Sequence, residues 1–455
     1  MEDKKLVDLL VERSRTAQEK FANATQEQVD ELVRAICKTI YDNAEELAQM
    51  AVEETGMGVY QDKVTKNRTK SKMIWNDLKY KKSVGVLRTF PEKCLTEVAK
   101  PMGVVCSVTP CTNPIVTPMS NCAFALKCRN SAIITPHPRA KLCTRKVVGL
   151  FREEIRKLGL PEDLVLAVDE PSVNLSSLLM QQADVILATG GMGMVKAAYS
   201  SGKPAYGVGA GNVQCIIDKG VNYENAAEKI VIGRTFDNGI ICLAEQSVIA
   251  PSEDFTQIEK ALQEQGVYII NKEEEGNALR KALFPEGGAI NRNVVGQPAE
   301  KLAELSGISV PVGTKALAVK VDNKDLEDVL RREKMCPVLA LFEYKTFEQA
   351  IEIALQNLMK EGKGHSAALH TEEEGHIRYA QEMLPVSRLI LNQSSGTTGG
   401  GSWTNGFTPT TTLGCGTWGN NSISDNFTYT YLMNVTRVGG LRKDVVIPSD
   451  EEIWK

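Results

Sequence analysis

The chain has 455 residues, a formal net charge of −4, and hydrophobic, charged and aromatic fractions of 42%, 24% and 6%. That length exceeds what one hydrophobic core holds, so two or three domains are expected. The absence of any lysine- or arginine-rich block leaves no electrostatic footprint for nucleic acid. No uninterrupted apolar run reaches the roughly 18 residues that span a bilayer, and the first residues lack the apolar stretch of a secretion signal.

Residues 1–21, "MEDKKLVDLLVERSRTAQEKF", pattern as an amphipathic helix with Leu6, Leu9, Leu10 and Val11 on one side, packed on its own domain. Apolar residues at three-to-four spacing continue the helical reading to about residue 80, with a stop at Gly56. "SVGVLRTFPEKCLTEVAKP" (83–101) reads as two short strands around Pro91-Glu92-Lys93, a hairpin. From 103 to 218 short apolar strands, "VVCSVTP", "SAIITP", "LVLAV", "DVILAT" and "VQCIID", alternate with helical stretches, which predicts βαβ units and a covered parallel sheet. Ligands on such sheets bind beyond the carboxyl ends of the strands. A second αβ region runs from about 248 to 420, with strands near "KALAVKV", "VLALFEY", "HSAALHT" and "SRLILN". The tail "NFTYTYLMNVTRV" (426–438) alternates polar and apolar residues like a half-exposed strand. With the 83–101 hairpin it is expected to form a flap that pairs with another subunit.

Eleven cysteines without a CxxC pair, and only four histidines, argue against a structural metal site, so no metal is expected. An odd count of thiols fits a reducing cytoplasm. Two glycine clusters, "ATGGMGMVKAA" (188–198) and "GVGAGN" (207–212), sit at strand ends where backbone N–H groups can hold a phosphate or simply make tight turns. In "TPCTNP" (109–114), Asn113 follows a strand and is placed either to donate to an oxyanion or to shape a turn. "GKGHS" (362–366) puts His365 at a strand start, open to a structural role or to general-base or coenzyme contact. Cys242 in "FDNGIICLAEQS" (236–247) has apolar neighbours on both sides, and taken alone reads more readily as a core thiol than as a nucleophile.

Order and spacing change that balance. TxxTNP (109–114), "ATGGMGMVKAAYSSGKP" (188–204), "GVGAGN", "FDNGIICLAEQS", "EKMCP" (333–337), "GKGHS" and "TLGCGTWGNNSISDN" (412–426) together resemble the CoA-acylating branch of the aldehyde dehydrogenase superfamily over nearly the whole chain. Within the branch, "SVGVL", "EKMCPV", "EGKGHS" and "PSDEEIWK" are most similar to the succinate-semialdehyde enzymes; acetaldehyde, propanal or butanal dehydrogenases are the alternative. The resemblance implies an α/β aldehyde dehydrogenase fold: a Rossmann-like cofactor domain (1–83 and 102–240), a catalytic domain (241–420) and a β-flap for oligomerisation (84–101 and 426–440).

It further implies Cys242 as nucleophile, Asn113 as oxyanion donor and His365 in the CoA half-reaction. NAD or NADP would meet Thr109, Pro110, Thr189, Gly190, Gly191 and Gly209, its adenosine ribose His137, Pro138 and Arg139, and its nicotinamide ribose Glu333. Coenzyme A is the implied co-substrate, and a homodimer or dimer of dimers the implied assembly. Hydrolytic members carry a glutamate in an ELGG motif that activates water; the corresponding stretch here, 207–212, has no carboxylate. An acyl-Cys242 thioester would then wait for a thiol, and transfer between thioesters is nearly isoenergetic. A four-carbon acid semialdehyde also needs a partner for its distal carboxylate. The loop "NQSSGTTGGGS" (392–402) offers hydroxyls and backbone N–H groups, and no nearby cation is identifiable from sequence.

Overall fold

The structure, a computed structural model, describes residues 2–443 and 445–455. Four helices open it: α1 (Glu2–Phe21), α2 (Gln26–Asp42), α3 (Ala44–Thr55) and α4 (Tyr60–Leu78). In α1 the buried stripe is Val7, Leu10, Val11, Ala17 and Phe21, while Leu6 and Leu9 are exposed, so the helix is rotated from the face its leucines suggested. The reason is periodicity: only the former set keeps one side of the helix over five turns. A Thr25–Gln28 capping box starts α2, whose apolar face is wholly buried.

The hairpin forms as expected, β1 (Val86–Phe90) and β2 (Leu95–Pro101). Next come β3 (Val104–Thr109), β4 (Ser131–Pro136), β5 (Val165–Ala167), β6 (Val185–Thr189) and β7 (Ala205–Val208), a parallel sheet of order β5-β4-β3-β6-β7. Every residue of β3 and β4 is buried, as a sheet covered on both faces requires. The order reverses direction beside β3, the kind of switch point where cofactors sit.

The chain then passes through 209–212 into a second parallel sheet: β8 (Val213–Ile217), β9 (Glu245–Pro251), β10 (Val267–Ile270), β11 (Ala316–Lys320), β12 (Val338–Tyr344), β13 (Gly364–His370) and β14 (Val386–Leu391), ordered β10-β11-β12-β9-β8-β13-β14. "VQCIID" therefore pairs with β9 and β13 in the second sheet and not with the strands that precede it, so the change of sheet lies at 209–212, ahead of the expected boundary at 240. Each βαβ unit reads alike in sequence, and hydrogen-bond partners alone separate the sheets. β15 (Met433–Gly439) completes an antiparallel β1-β2-β15 flap that is largely exposed on β15; the first part of the expected tail strand, Tyr429–Leu432, is a 3₁₀ turn.

Phe427 locks this tail onto the first sheet's helices. It is fully buried, with ring centroids 5.9 Å from Phe124, 5.3 Å from Tyr206 and 5.4 Å from Tyr431. Phe427→Ala is expected to cost about 3–5 kcal/mol in chemical denaturation; a cost near zero would show that these rings do not hold the tail.

Candidate active site

The ends of the two sheets converge on one place. From the first come the carboxyl ends of β3, β6 and β7, which lead into Cys111–Asn113, Gly190–Gly191 and Gly209–Gly211. From the second come amino-terminal approaches: Asn212 before β8, Cys242 before β9, Glu333 before β12 and His365 in the first turn of β13. A methyl group on Gly211 would collide with the Cys242 carbonyl, so the 207–212 loop lies directly under the cysteine's backbone. The Gly211 N–H donates to Glu333 Oε1 at 3.2 Å, bringing a third segment to the same point.

Cys242 is half-buried, whereas most of the other cysteines are buried. Burial pushes its thiol up to about 12, with Glu333 and Cys415 adding to the rise and Arg388 opposing it. Arg388 is itself buried and fixed by donating to Ser366 Oγ and to the His365 and Gly414 carbonyls at 3.0, 2.8 and 2.8 Å. The approach to Cys242 is unusual. Asp237, Asn238 and Gly239 all have positive φ (53°, 53° and 69°), a tight turn of three left-handed residues. The Asp237 carboxylate, fully buried, holds this turn by accepting from Val59 N at 2.9 Å, Lys63 Nζ at 3.0 Å and Lys66 Nζ at 2.5 Å. Burial alone would raise that carboxyl, but Lys66 and Lys63 outweigh it and hold it below its ordinary value.

Asn113 lies across from this turn, with its Oδ1 accepting from Lys66 Nζ at 2.7 Å. An ammonium can only donate, so the amide oxygen must face Lys66 and the Asn113 NH2 group points elsewhere. Glu333 is held up at about 8 by burial and by Glu361. His365 is fully buried, with Nδ1 3.1 Å from Ser366 Oγ and Nε2 without a partner; burial and Arg388 keep its ring neutral. No hydrogen bond joins it to Cys242 among the described residues; Arg388, which donates to the His365 carbonyl, opposes the rise of the Cys242 thiol.

The segments expected to meet a cofactor lie at the carboxyl edge of the first sheet. Thr189 Oγ1 is buried without a partner, nothing lies within 4 Å of a methyl on Gly191, and the helix Met192–Tyr199 begins there with no side-chain cap. Free N–H groups at such a helix start fit a phosphate. Thr109 accepts through its carbonyl from His137 N at 3.0 Å, which places Pro110 beside "HPR". His137, Pro138 and Arg139 are exposed, with His137 Nδ1 accepting from Arg139 N and Arg139 reaching the Thr55 carbonyl at 2.6 Å. Gly209 lies against the Cys415 thiol, so it faces the cysteine side of the site. A groove of about 1320 Å³ lined by Asn271, Arg280, Asp322 and Glu343 runs along the opposite edge of the second sheet and contains none of these residues.

Sequence reading gave α4 as a helix but missed its lysines. Lys63, Lys66 and Lys70 recur at three- and four-residue spacing, a pattern that ordinarily means a solvated face, yet they line the interior. Lys70 is half-buried, donates to the Gly400 carbonyl at 2.7 Å and is pushed down to about 8 by burial and by Lys66, with Cys242 opposing. It therefore stands between the glycine-rich 392–402 loop and the cysteine. The available signal was the poverty of apolar residues in a helix that must pack.

A profile of the aldehyde dehydrogenase family matches residues 1–275. Over 445 residues, 98% of both chains, the sequence is 52% identical to the succinate-semialdehyde dehydrogenase (acetylating) of Clostridium kluyveri. An acetylating aldehyde dehydrogenase from Geobacillus thermoglucosidasius superposes with a TM-score of 0.94 at 36% identity, covering 99% of each chain. A propionaldehyde dehydrogenase from Rhodopseudomonas palustris, solved with bound propionyl-CoA, gives 0.85 at 28% identity over 95% of this chain and 94% of its own. The chain belongs to the aldehyde dehydrogenase family. Within that family it falls in the acylating branch, as an oxidoreductase of parallel-sheet α/β fold.

The raised thiol carries a pH prediction. With a pKa near 12, the thiolate fraction grows in proportion to hydroxide, so iodoacetamide labelling of Cys242, followed by peptide mapping, should accelerate about tenfold per pH unit from pH 7 to 9. A plateau below pH 9 would contradict the burial argument.

Proposed function

We propose that the protein interconverts succinic semialdehyde, CoA and NAD(P)+ with succinyl-CoA and NAD(P)H through an acyl-Cys242 thioester. The observation that carries it is the closed ground beneath Cys242. At Gly207 an added Cβ would lie 2.7 Å from Val195 Cγ1 and 2.9 Å from Tyr199 Cε2, and Tyr199 Oη lies 3.0 Å from the Gly207 N, so a water-activating carboxylate has no room there. Glu333, the carboxyl that touches the same loop, is spent on the Gly211 amide and protonated below about pH 8.

In this reading Cys242 attacks the aldehyde carbon, and the Asn113 NH2 with the Cys242 backbone N–H receives the oxyanion. The bound nicotinamide supplies the hydride acceptor in the oxidative direction and the donor in the reductive one. Thr189, Gly190 and Gly191 face the cofactor phosphates, with Thr109, Pro110 and Gly209 lining the same edge. His137, Pro138 and Arg139 flank the adenosine ribose, and Glu333, beside Gly211, flanks the nicotinamide ribose. His365 serves the CoA half-reaction, its neutral ring held by Ser366 beside Arg388. The 104–208 sheet carries cofactor binding and the 213–391 sheet the cysteine, while the exposed β1-β2-β15 flap pairs subunits into a dimer or dimer of dimers. No helix among the described residues is long and apolar enough to cross a membrane, which is compatible with work in the cytoplasm.

Support for the four-carbon acid comes from Lys70 and from the kinship to the Clostridium kluyveri enzyme. Lys70 is a cation set between the substrate loop and the cysteine, and its one hydrogen-bond partner among the described residues is a backbone carbonyl, which a carboxylate can displace with gain.

Two measurements follow. With CoA and NAD+ or NADP+ present, reduced nicotinamide should accumulate from succinic semialdehyde; it should stop at about one equivalent per Cys242 when CoA is left out, and none should form in Cys242→Ala. Equal turnover without CoA would contradict the acylating reading. Lys70→Met should lower kcat/KM for succinic semialdehyde by about 10- to 150-fold, the worth of one charge-assisted hydrogen bond, and leave butanal within a few-fold. Equal losses for both aldehydes would remove Lys70 from carboxylate recognition.

A further inference from the structure

We propose that Lys66 is a positioning residue that orients and polarises the Asn113 amide while tying it to the turn that carries Cys242. The inference rests on the reading of Asn113 as oxyanion donor, and adds what sets that donor. Its ground is one ammonium with two partners from distant segments: Asn113 Oδ1 at 2.7 Å, after β3, and Asp237 Oδ2 at 2.5 Å, five residues before Cys242.

The Asp237 partner is not free to move. Asp237 is also fixed by Lys63 and by the Val59 amide, and its own N–H donates to Asp62 Oδ2 at 2.8 Å. A side chain on Gly58 would strike the Asp237 carboxylate, so the backbone of 58–59 presses against it from the other side. Asn238 Nδ2 donates to the Gly296 carbonyl at 2.9 Å, and Gly58 N donates to the same oxygen at 3.0 Å. The left-handed turn at 237–239 is thereby held from three segments.

Two consequences reach the reacting carbon. The amide cannot flip, because its NH2 group would then meet the ammonium; the donor end stays on the side away from α4. Donation from a cation to Oδ1 also draws electron density from the amide nitrogen and strengthens its N–H as a donor, an effect amplified where water is excluded. Because the Lys66 ammonium donates to Asn113 Oδ1 and Asp237 Oδ2, it acts on the oxyanion through Asn113 and not by direct contact.

The test uses the full-length enzyme and variants K66M, K66Q, N113A and N113A/K66M. K66M should lower kcat by about 10- to 100-fold with the aldehyde KM little changed, since a displaced oxyanion donor affects the transition state more than binding. In the N113A background the same substitution should have almost no further effect, because its route to the oxyanion is gone. Iodoacetamide alkylation of Cys242, which develops no oxyanion on a carbonyl carbon, should keep its wild-type rate in K66M. If K66M does not fold, K66Q, which keeps a neutral donor one atom short of the lysine's reach, carries the same comparison with a smaller loss.

An equal fold-loss from K66M with and without Asn113 would overturn the proposal, as would alkylation falling in step with turnover. Full activity in N113A would overturn the reading of Asn113 itself, a distinct outcome.

Discussion

A buried ion pair between α4 and the turn before β9 is the constraint on which the site depends. Lys66 and Lys63 are nearly solvent-free, and Asp237 is entirely so. Burying charges is costly unless geometry is good and every lone pair is used, and here the carboxylate accepts from two ammonium groups and a backbone amide. What the arrangement secures is position: a left-handed turn of Asp237, Asn238 and Gly239 that would not persist alone delivers Cys242 to the seam between two sheets. Removing Asp237 would leave two cations facing each other in the interior, so the fold and the site stand or fall together here.

Around that fixed point the chemistry follows from what is excluded. The 207–212 loop is made small because Val195, Tyr199 and the Cys242 backbone occupy the space its side chains would need. The carboxyl groups that do come near are compromised: Glu333 is bonded to Gly211 N, and Glu245, raised to about 8 by burial, has one oxygen bound to Ser395 N at 2.6 Å. A thioester at Cys242 thus meets few groups able to activate water. Burial leaves the resting thiol protonated, and reactivity depends on the substrate's arrival in the oxyanion site.

Much of the architecture was legible because contiguous β-branched runs such as "SAIITP" and "VLALFEY" can be little other than buried parallel strands. β7 and β10 escaped because four residues carry too weak a pattern. β9 was hidden for a different reason: its first residues, Glu245, Gln246 and Ser247, are polar yet buried, bonded to Ser395 N, Lys334 N and Gln214. The polar "EQS" is thus core with part of its hydrogen-bonding capacity met: among the described residues Glu245 Oε2 and Gln246 Nε2 are buried without a partner. Motif order singled out Cys242, Asn113 and Glu333; Glu333 accepts from Gly211 under the Cys242 carbonyl, and Asn113 is joined through Lys66 to Asp237 in the turn before Cys242. The lysines of α4 were out of reach, since their partners Asn113, Asp237 and Gly400 lie 47, 171 and 330 residues along the chain.

The central claim, that Cys242 holds an acyl group for CoA and not for water, is tested most directly by the lifetime of the acyl-enzyme. Enzyme acylated with succinyl-CoA, freed of CoA and kept without nicotinamide, can be followed by intact-protein mass spectrometry with peptide mapping to Cys242. The account predicts an adduct that outlives many turnovers in buffer and vanishes within the mixing time of added CoA. An adduct lost to buffer at the rate of turnover, or one indifferent to CoA, would contradict it.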